Sequence, residues 1–356
     1  MRGGEKVLLS LLRLFPGAPI HTLLHLKGSV ADEIESRAIH TTFVQRLPDV
    51  ARRYRHYLPL FPAAAESMDL RGYDLLISTS HCVAKGVKAR PGGLHLCYCF
   101  TPMRYVWDRY DDYFGPGRAG PLTRLVMRAV APYLRRWDRR SAARVHHFAA
   151  DSVYVAERIR RYYAREAEVI YPPVDTEFFT PGEGRAGAYD LVVSALAPYK
   201  RIGLVLEAYR GSGLPLKVAG AGPEEARLRA VAPPEVTFLG TVPDLELREL
   251  YRGARAVIMP GIEDFGIVPV EAMACGRPAI VFGEGGGTET VIDGETGLVF
   301  HEPTPRALRQ VVDSLRTVRF NTRALRDRAQ AFSEAVFLRR FQTFVAKALA
   351  PVPPSC

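Results

Sequence analysis

The sequence contains little cysteine and no long apolar run, and both features exclude classes of protein. Its five cysteines are an odd number at irregular spacing, which does not suit a disulfide framework and fits a reducing compartment. No run reaches the roughly 18 apolar residues of a transmembrane helix, and no charged-then-apolar leader is visible. We therefore expect a cytoplasmic protein without a membrane span.

Acidic residues are scarce relative to basic ones. The chain has 48 Lys and Arg against 38 Asp and Glu, a formal net charge of +10, and most of the basic residues are arginine. Guanidinium groups pair with phosphate oxygens in a bidentate manner, so the balance favours phosphate-bearing partners. We do not expect nucleic acid as a partner, because the basic residues lack the interleaved aromatic side chains of a stacking surface.

A short histidine and cysteine cluster is the one candidate for a metal site. His95, Cys97 and Cys99 would share one face of a strand, since side chains alternate along β-structure. A structural metal needs a fourth ligand, and none is in view. The surrounding segment 94–100 instead has the character of a buried parallel strand. We interpret the cysteines as core residues and expect no metal or other cofactor.

With 356 residues, 47% of them hydrophobic, the chain is long enough for two cores. The second half alternates apolar strands with amphipathic helices, which predicts a doubly wound parallel α/β sheet with its chemistry in the loops after the strands. The predicted strands are 190–195, 216–219, 236–239, 256–259 and 279–282. The predicted helices are 204–209, 224–231, 245–251 and 270–275. The first half carries similar signals, with strands 73–78, 94–100 and 145–150.

These signals predict two Rossmann-like domains and a final helix. We expect an N-terminal domain over 1–172, a second domain over 173–333, and a C-terminal segment 334–356, helical over 334–349, that packs back on the first domain. The boundary rests on the paired prolines Pro172 and Pro173, which enforce an extended chain. The sequence opens on a glycine loop, Gly3 and Gly4, without a preceding strand, so we expect either a late start or a first domain that lacks its first strand.

The densest motif, EDFGIVPVEAMACGRP, spans residues 263–278. Pro269 favours the first turn of a helix and Gly276 its end, which predicts a short helix between them. The start of that helix would offer three amides to phosphate or sugar oxygens, those of Gly266, Ile267 and Val268.

This motif resembles the signature of the family 4 retaining glycosyltransferases of GT-B fold, in which two such domains face a cleft. It is closest to GDP-mannose-dependent α-mannosyltransferases of bacterial surface-polysaccharide synthesis. The resemblance implies that Glu263 contacts the donor sugar during catalysis and that Glu271 binds the nucleotide ribose. The alternative is that Glu271 only favours the helix dipole and that Glu263 is a solvated loop acid.

The segment 193–201 resembles the diphosphate-binding loop of the same family. Its lysine corresponds to Lys200, which implies a catalytic role on the departing diphosphate without a metal. Arg201 either assists it or is a solvated surface charge. The pattern departs at Ala195, where many relatives carry arginine.

Several glycines are assigned to donor binding by this resemblance. The loop 285–287 resembles the one that reaches the phosphates and the sugar, and the assigned positions are Gly3, Gly4, Gly240 and Gly287. The loop 220–223 lacks the third glycine of a dinucleotide fingerprint, which argues against a nicotinamide enzyme.

The segment 98–105 resembles the acceptor-side loop of mannosyltransferases. It implies acceptor contacts at Thr101, Pro102 and Arg104. Phe100 stands where many relatives place a histidine near the reacting sugar, so no histidine contact is expected.

An arginine-rich stretch, 118–144, predicts a long amphipathic helix. It could lie on an anionic membrane, which would place the protein peripherally on the inner face of the cell membrane. A core helix with a solvated basic face fits equally well.

The resemblance as a whole implies a retaining transferase that moves a hexose, mannose from GDP-mannose, to a saccharide or lipid-linked acceptor in surface glycan synthesis. A catalytically silent GT-B protein that binds a nucleotide sugar or an anionic partner stays open, because of Ala195, Phe100 and the absent first strand.

Overall fold

The computed structural model describes residues 3–183, 187 and 189–350, and the chain divides into two compact units. Unit 1 comprises Met1–Tyr171 with Leu338–Cys356, and unit 2 comprises Pro172–Phe337. The division falls at the first of the paired prolines.

Unit 1 contains six strands and seven helices before the division, among the residues described. In chain order they are α1 Gly3–Leu14, β1 Ile20–Thr22, α2 Asp32–Glu35, β2 Ile39–Thr41, α3 Val50–Arg53, α4 Phe61–Glu66, β3 Leu75–Ser80, β4 Leu94–Cys99, α5 Tyr110–Phe114, α6 Pro121–Ala142, β5 His147–Ala150, α7 Val153–Tyr163 and β6 Ala167–Val169.

The strands of unit 1 form two parallel sheets. One has the order β3-β4-β5-β6 and the other pairs β1 with β2. β4 is buried over its last five residues, as the predicted central strand requires. The prediction of 73–78 as a strand is shifted by two residues, since β3 spans Leu75–Ser80. Gly3 and Gly4 lie inside α1, so the predicted glycine loop is wrong.

Unit 2 alternates strands and helices from its first strand onward. The elements are β7 Tyr189–Val193, α8 Ile202–Tyr209, β8 Leu216–Ala219, α9 Glu225–Val231, β9 Val236–Gly240, α10 Asp244–Gly253, β10 Ala254–Met259, α11 Ile267–Ala274, β11 Ala279–Phe282, α12 Gly287–Thr290, β12 Gly297–Phe300, α13 Pro305–Ser314 and α14 Thr322–Gln330. A last helix, α15 Glu334–Leu349, begins in unit 2 and continues into unit 1.

The six strands of unit 2 form one parallel sheet in the order β12-β11-β10-β7-β8-β9. The chain runs outward from β7 through β8 to β9, then returns to β10 and runs outward the other way. The strand order therefore reverses between β7 and β10, which pair directly. In open α/β sheets ligands bind beyond the carboxyl ends of the strands at such a switch point. The topology therefore predicts that a ligand binds at the loops after β7 and β10.

Apolar side chains on one face of the unit 2 sheet pack against its helices. Val192, Val218 and Ile258 on the strands pack with Leu206 of α8 and Leu308 of α13 in one buried cluster. Strands buried on both faces read as continuous apolar runs, which is why they were predictable. In unit 1, the ring of Phe341 on α15 lies 6.3 Å from that of Tyr98 on β4. No helix in the described part of the chain is long and apolar enough to cross a bilayer.

Candidate active site

The loops after β7 and β10 bring together two residues that sequence reasoning assigned to catalysis. Lys200 ends a short 3-10 turn in the first loop, and Glu263 lies in the second. The Nζ of Lys200 donates directly to Oε1 of Glu263. Both side chains are less than one-fifth exposed, at 17% and 19%. The pair is therefore shielded enough to be ordered while still open to a ligand.

Close backbone packing fixes the relative position of these two loops. A Cβ built at Gly261 would lie only 3.0 Å from the carbonyl oxygen of Tyr199 and 3.1 Å from Cα of Lys200. Glycine suits this approach, because a side chain here would push the backbone of the other loop away by a few tenths of an ångström.

The glycine loop 285–287 packs against the Glu263 loop from another side. The amide of Gly286 donates to the carbonyl of Glu263 at 2.9 Å, and a Cβ at Gly285 would lie 2.6 Å from that same oxygen. Gly287 begins α12, and its Cα lies 3.6 Å from where a Cβ of Gly266 would stand. Gly266 and Gly287, both assigned to the donor from sequence, are thus neighbours.

The helix predicted after Glu263 is present and begins earlier than expected. α11 spans Ile267–Ala274, so the predicted start at 270 is wrong and Pro269 occupies the third helical position. Gly266 caps it in the left-handed region, at φ 98°, with no side-chain cap, and Gly276 at φ 74° follows its end. The amides of Ile267 and Val268 lie in the first turn, where helical amides have no intrahelical acceptor.

Glu271 projects from the middle of α11 and is 5% exposed. The hydroxyl of Tyr251, on α10, donates to its Oε2 at 2.8 Å. Burial, followed by the charge of Glu271, raises the pKa of Tyr251 well above its ordinary value, so the phenol stays a hydrogen-bond donor. A buried carboxylate held by a buried phenol has a fixed orientation. Sequence reasoning missed Tyr251, because nothing local links it to a residue 20 positions away.

Arg201 is half-buried, and among the residues that the structure describes it has no acidic partner. It adopts a left-handed backbone at φ 54°, and its guanidinium carbon lies 4.8 Å from the centre of the Phe282 ring. Its Nη1 is buried without a hydrogen-bond partner in the described part of the chain. An unsatisfied buried donor here suits an anionic ligand, and the role of Arg201 beside Lys200 stays a prediction.

The loops after β8 and β9 join the same edge of the sheet. The amide of Gly220 donates to the carbonyl of Gly240, which ends β9 at φ 71°. A Cβ at Gly222 would overlap the carbonyl group of Leu196 in the loop after β7. Gly240 thus lies on the side of the sheet predicted for the donor.

The remaining predicted residues lie in unit 1. Thr101 is 1% exposed, and its hydroxyl accepts from Nη1 of Arg158 at 2.9 Å. Pro102 is buried and Arg104 is half-buried, which leaves Arg104 the most accessible of the three acceptor-side residues.

Gly4 lies on α1 beside the ring of Phe100. A Cβ atom at Gly4 would lie 3.4 Å from that ring. Donor contacts at Gly3 and Gly4 stay predictions.

The histidine and cysteine cluster of β4 lies in the core of unit 1. Cys97 and Cys99 are at most 1% exposed, and Oγ of Ser78 lies 2.8 Å from Nε2 of His95. Burial lowers the pKa of His95 to about 4. Within the described ranges, no group of three or more His, Cys, Asp or Glu side chains is placed to hold a metal ion.

Comparisons with known proteins agree with this architecture. The chain superposes on Anabaena HepE in complex with UDP-glucose with a TM-score of 0.68 over 98% of this chain and 96% of that one, at 15% identity. At this identity the likeness establishes the fold, and the predicted GT-B class is confirmed.

Curated relatives match about half of the chain or less. The D-rhamnosyltransferase WbpZ of Pseudomonas aeruginosa is 31% identical over 208 residues, covering 54% of this chain and 53% of that protein. The alpha-1,3/1,6-mannosyltransferase alg-2 of Neurospora crassa is 40% identical over 113 residues, covering 32% of this chain and 24% of that protein. This chain thus spans about half the length of these relatives, or less.

Residues 176–332 match the protein family described as Glycosyl transferases group 1. That range contains the Lys200 and Glu263 pair, Glu271 and the glycine loop at the switch point. Residues 176–332 are therefore similar to the group 1 glycosyltransferases, in a chain of GT-B fold.

Proposed function

We propose that this chain is a family 4 retaining glycosyltransferase that transfers a hexose, mannose from GDP-mannose, to a saccharide or lipid-linked acceptor in surface glycan synthesis. The observation that carries the proposal is the contact between Lys200 and Glu263 at the switch point of unit 2. Two residues 63 positions apart meet where the topology places a ligand. The names of WbpZ and alg-2, both sugar transferases, support the same activity.

The donor diphosphate would be held by cationic side chains and amides on two segments, the loop after β7 and the start of α11. Lys200, the unsatisfied Nη1 of Arg201 and the first amides of α11 supply charge and hydrogen bonds without a metal. A diphosphate that pairs with Lys200 takes the lysine away from Glu263. The carboxylate is then available to accept hydrogen bonds from sugar hydroxyls, so donor binding exchanges one ion pair for two ligand contacts.

Glu271 would hold the nucleotide through its ribose hydroxyls. The bond from Tyr251 fixes the carboxylate before the ligand arrives. A preorganised acceptor loses little freedom on binding, which favours affinity.

In the reaction, the acceptor hydroxyl attacks the anomeric carbon from the face that the diphosphate leaves. The bond from that carbon to the diphosphate oxygen breaks, the new glycosidic bond forms, and the hydroxyl proton passes to a phosphate oxygen. Negative charge on the diphosphate grows toward the transition state. Lys200 and the amides of α11 therefore stabilise the transition state more than the ground state, which is what accelerates the reaction.

The test is incubation of the full chain with separate GDP and UDP sugars in the presence of saccharide and lipid-linked acceptors, followed by measurement of nucleoside diphosphate release and of the anomeric proton of the product. We expect release from GDP-mannose and an α-linked product. Release from UDP sugars alone would overturn the donor assignment, and UDP-glucose is the competitor to include, since it is bound in the HepE structure. Binding without release from any donor would identify a silent binding protein.

A further inference from the structure

Helix α6 carries large apolar side chains on the side that faces away from the protein. Its inner side contributes Met127, Ala131 and Leu134 to the core of unit 1. Four further apolar side chains are nevertheless exposed, namely Leu122 at 74%, Leu125 at 64%, Val126 at 45% and Tyr133 at 50%. Their spacing of three, four and eleven residues from Leu122 places them on one face, opposite the buried one.

Arginines continue and flank this apolar face. Arg136 and Arg140 follow Tyr133 by three and seven residues, which keeps them on the same face, and Arg128 lies beside it, three residues after Leu125. All three are exposed, and none of them has an ion-pair partner in the part of the chain that the structure describes. The outer face of α6 is therefore apolar in its first half and cationic in its second.

The only acidic residue of α6 cannot neutralise these arginines. Asp138 is fully buried, and its Oδ1 accepts from Nζ of Lys85. Its Oδ2 accepts from Nε1 of Trp107 and from the hydroxyl of Tyr163, each at 2.8 Å. The acid anchors the helix to the protein and leaves the positive charge on the outside unopposed.

The chemistry of this face selects one kind of partner. A second copy of the chain would bury the leucines but would bring arginine against arginine. A nucleic acid would pair with the arginines but would leave the leucines in water. The surface of an anionic bilayer satisfies both, because apolar side chains enter the acyl boundary while arginines contact lipid phosphates.

We propose that α6 lies in the surface of an anionic phospholipid bilayer, with Leu122, Leu125 and Val126 in the acyl boundary and Arg128, Arg136 and Arg140 on lipid phosphates. The proposal rests on the surface of unit 1 alone, and it stands or falls independently of the donor site in unit 2.

The experiment is sedimentation of the full chain with vesicles of phosphatidylcholine alone, or of phosphatidylcholine mixed with phosphatidylglycerol. We expect binding only to the mixed vesicles, weakening as salt rises, since exposed charges are screened over about 8–10 Å at physiological ionic strength. The double variant Leu122→Ser with Leu125→Ser should bind roughly tenfold or more weakly. The double variant Arg136→Gln with Arg140→Gln should bind the mixed vesicles more weakly by a similar factor.

Matched controls lie on the surface of unit 2. Leu245→Ser removes a leucine that is 64% exposed, and Arg316→Gln with Arg319→Gln removes two exposed charges. Both controls should bind mixed vesicles like the parent, and circular dichroism should show every variant folded, because the substituted residues are exposed. Equal binding to neutral vesicles, no binding at all, or full binding by the leucine variant would overturn the proposal. So would a dimer in sedimentation velocity that the leucine variant abolishes, because a second copy would then cover the face.

Discussion

Lys200 is the residue whose loss should reveal the chemistry most clearly. In the structure its ammonium group is held by Glu263 beside the start of α11. We expect Lys200→Ala to lower kcat by about 10²–10³, the usual effect of removing one group that stabilises transition-state charge. Steady-state kinetics with the active donor measures this. Lys347→Ala, which removes a largely exposed lysine paired with Glu168, is the control and should leave kcat unchanged. Equal rates for both variants would contradict the assignment.

Tyr251 should matter for nucleotide affinity although it is fully buried. Tyr251→Phe keeps the ring in place and removes only the hydrogen bond to Glu271. The bond is present with and without the ligand, so its loss lowers affinity through the freedom that Glu271 gains, about 0.5–1.5 kcal/mol, and nucleoside diphosphate should bind roughly two- to tenfold more weakly. Calorimetric titration of the folded variant measures the change. Unchanged affinity would show that the bond does not position Glu271 for a ligand.

At this scale the sequence indicated candidate residues but not the contacts that they make. Glu263, Glu271 and Lys200 could be singled out because each lies in a local motif. The contacts of Lys200 with Glu263 and of Tyr251 with Glu271 depend on which strands are neighbours, and no local pattern encodes that. Arg201 was ambiguous for the same reason, since Phe282 reaches it only through the fold.

At the scale of elements, the buried ion pair under α6 should hold that helix in place. Asp138→Ala leaves the ammonium of Lys85 buried and unpaired, with the donors on Trp107 and Tyr163 also without their acceptor. We expect a loss of about 3–5 kcal/mol in the free energy of unfolding, measured with urea. Asp138→Leu combined with Lys85→Met should recover part of it, because no charge is then stranded. Arg323→Gln, at an exposed pair with Asp327, should have no measurable effect.

The glycine loop should tolerate no side chain where it meets the Glu263 loop. A methyl group on Gly286 would overlap the backbone of Asp264 and Phe265, which cannot move aside like a flexible side chain. We expect Gly286→Ala to destabilise the protein by about 1–3 kcal/mol and to lower transfer.

Gly203→Ala within α8 is the matched control for that change. The nearest atoms lie 3.9 Å from its Cβ position and Gly203 is the second residue of the helix, so we expect an unchanged or slightly raised free energy of unfolding. Thermal unfolding compares the two variants. A stable and active Gly286→Ala would show that the two loops do not need this close contact.

Elements were predictable in proportion to their burial and length. The predicted ranges 216–219, 279–282 and 334–349 agree with β8, β11 and α15, whose apolar patterns are clear. β1 and β2 were not predicted, because each has three residues and none of them is buried. α11 starts three residues before its prediction, since Pro269 occupies the third position of the helix rather than the first.

For the whole molecule, alternating strands and helices predicted the α/β class and two Rossmann-like domains, and the resemblance to a family added the GT-B fold and the candidate donor site. Strand order was not predictable, because every parallel arrangement of the same strands gives the same alternation. The reversal between β7 and β10 is therefore what the structure adds. It converts a set of separate motifs into one candidate site.

The central claim is that this site in unit 2 binds the donor, and titration of GDP, UDP and the matching sugar nucleotides into the full chain tests it most directly. Glu271→Gln should weaken every nucleotide roughly ten- to a hundredfold, through its lost charged contact with ribose. Glu263→Gln should leave free diphosphate bound as tightly as before or more tightly, because Lys200 is released from its partner, while transfer of the sugar falls. Parent-like binding and transfer by both variants, or no binding of any nucleotide to the parent, would contradict the account.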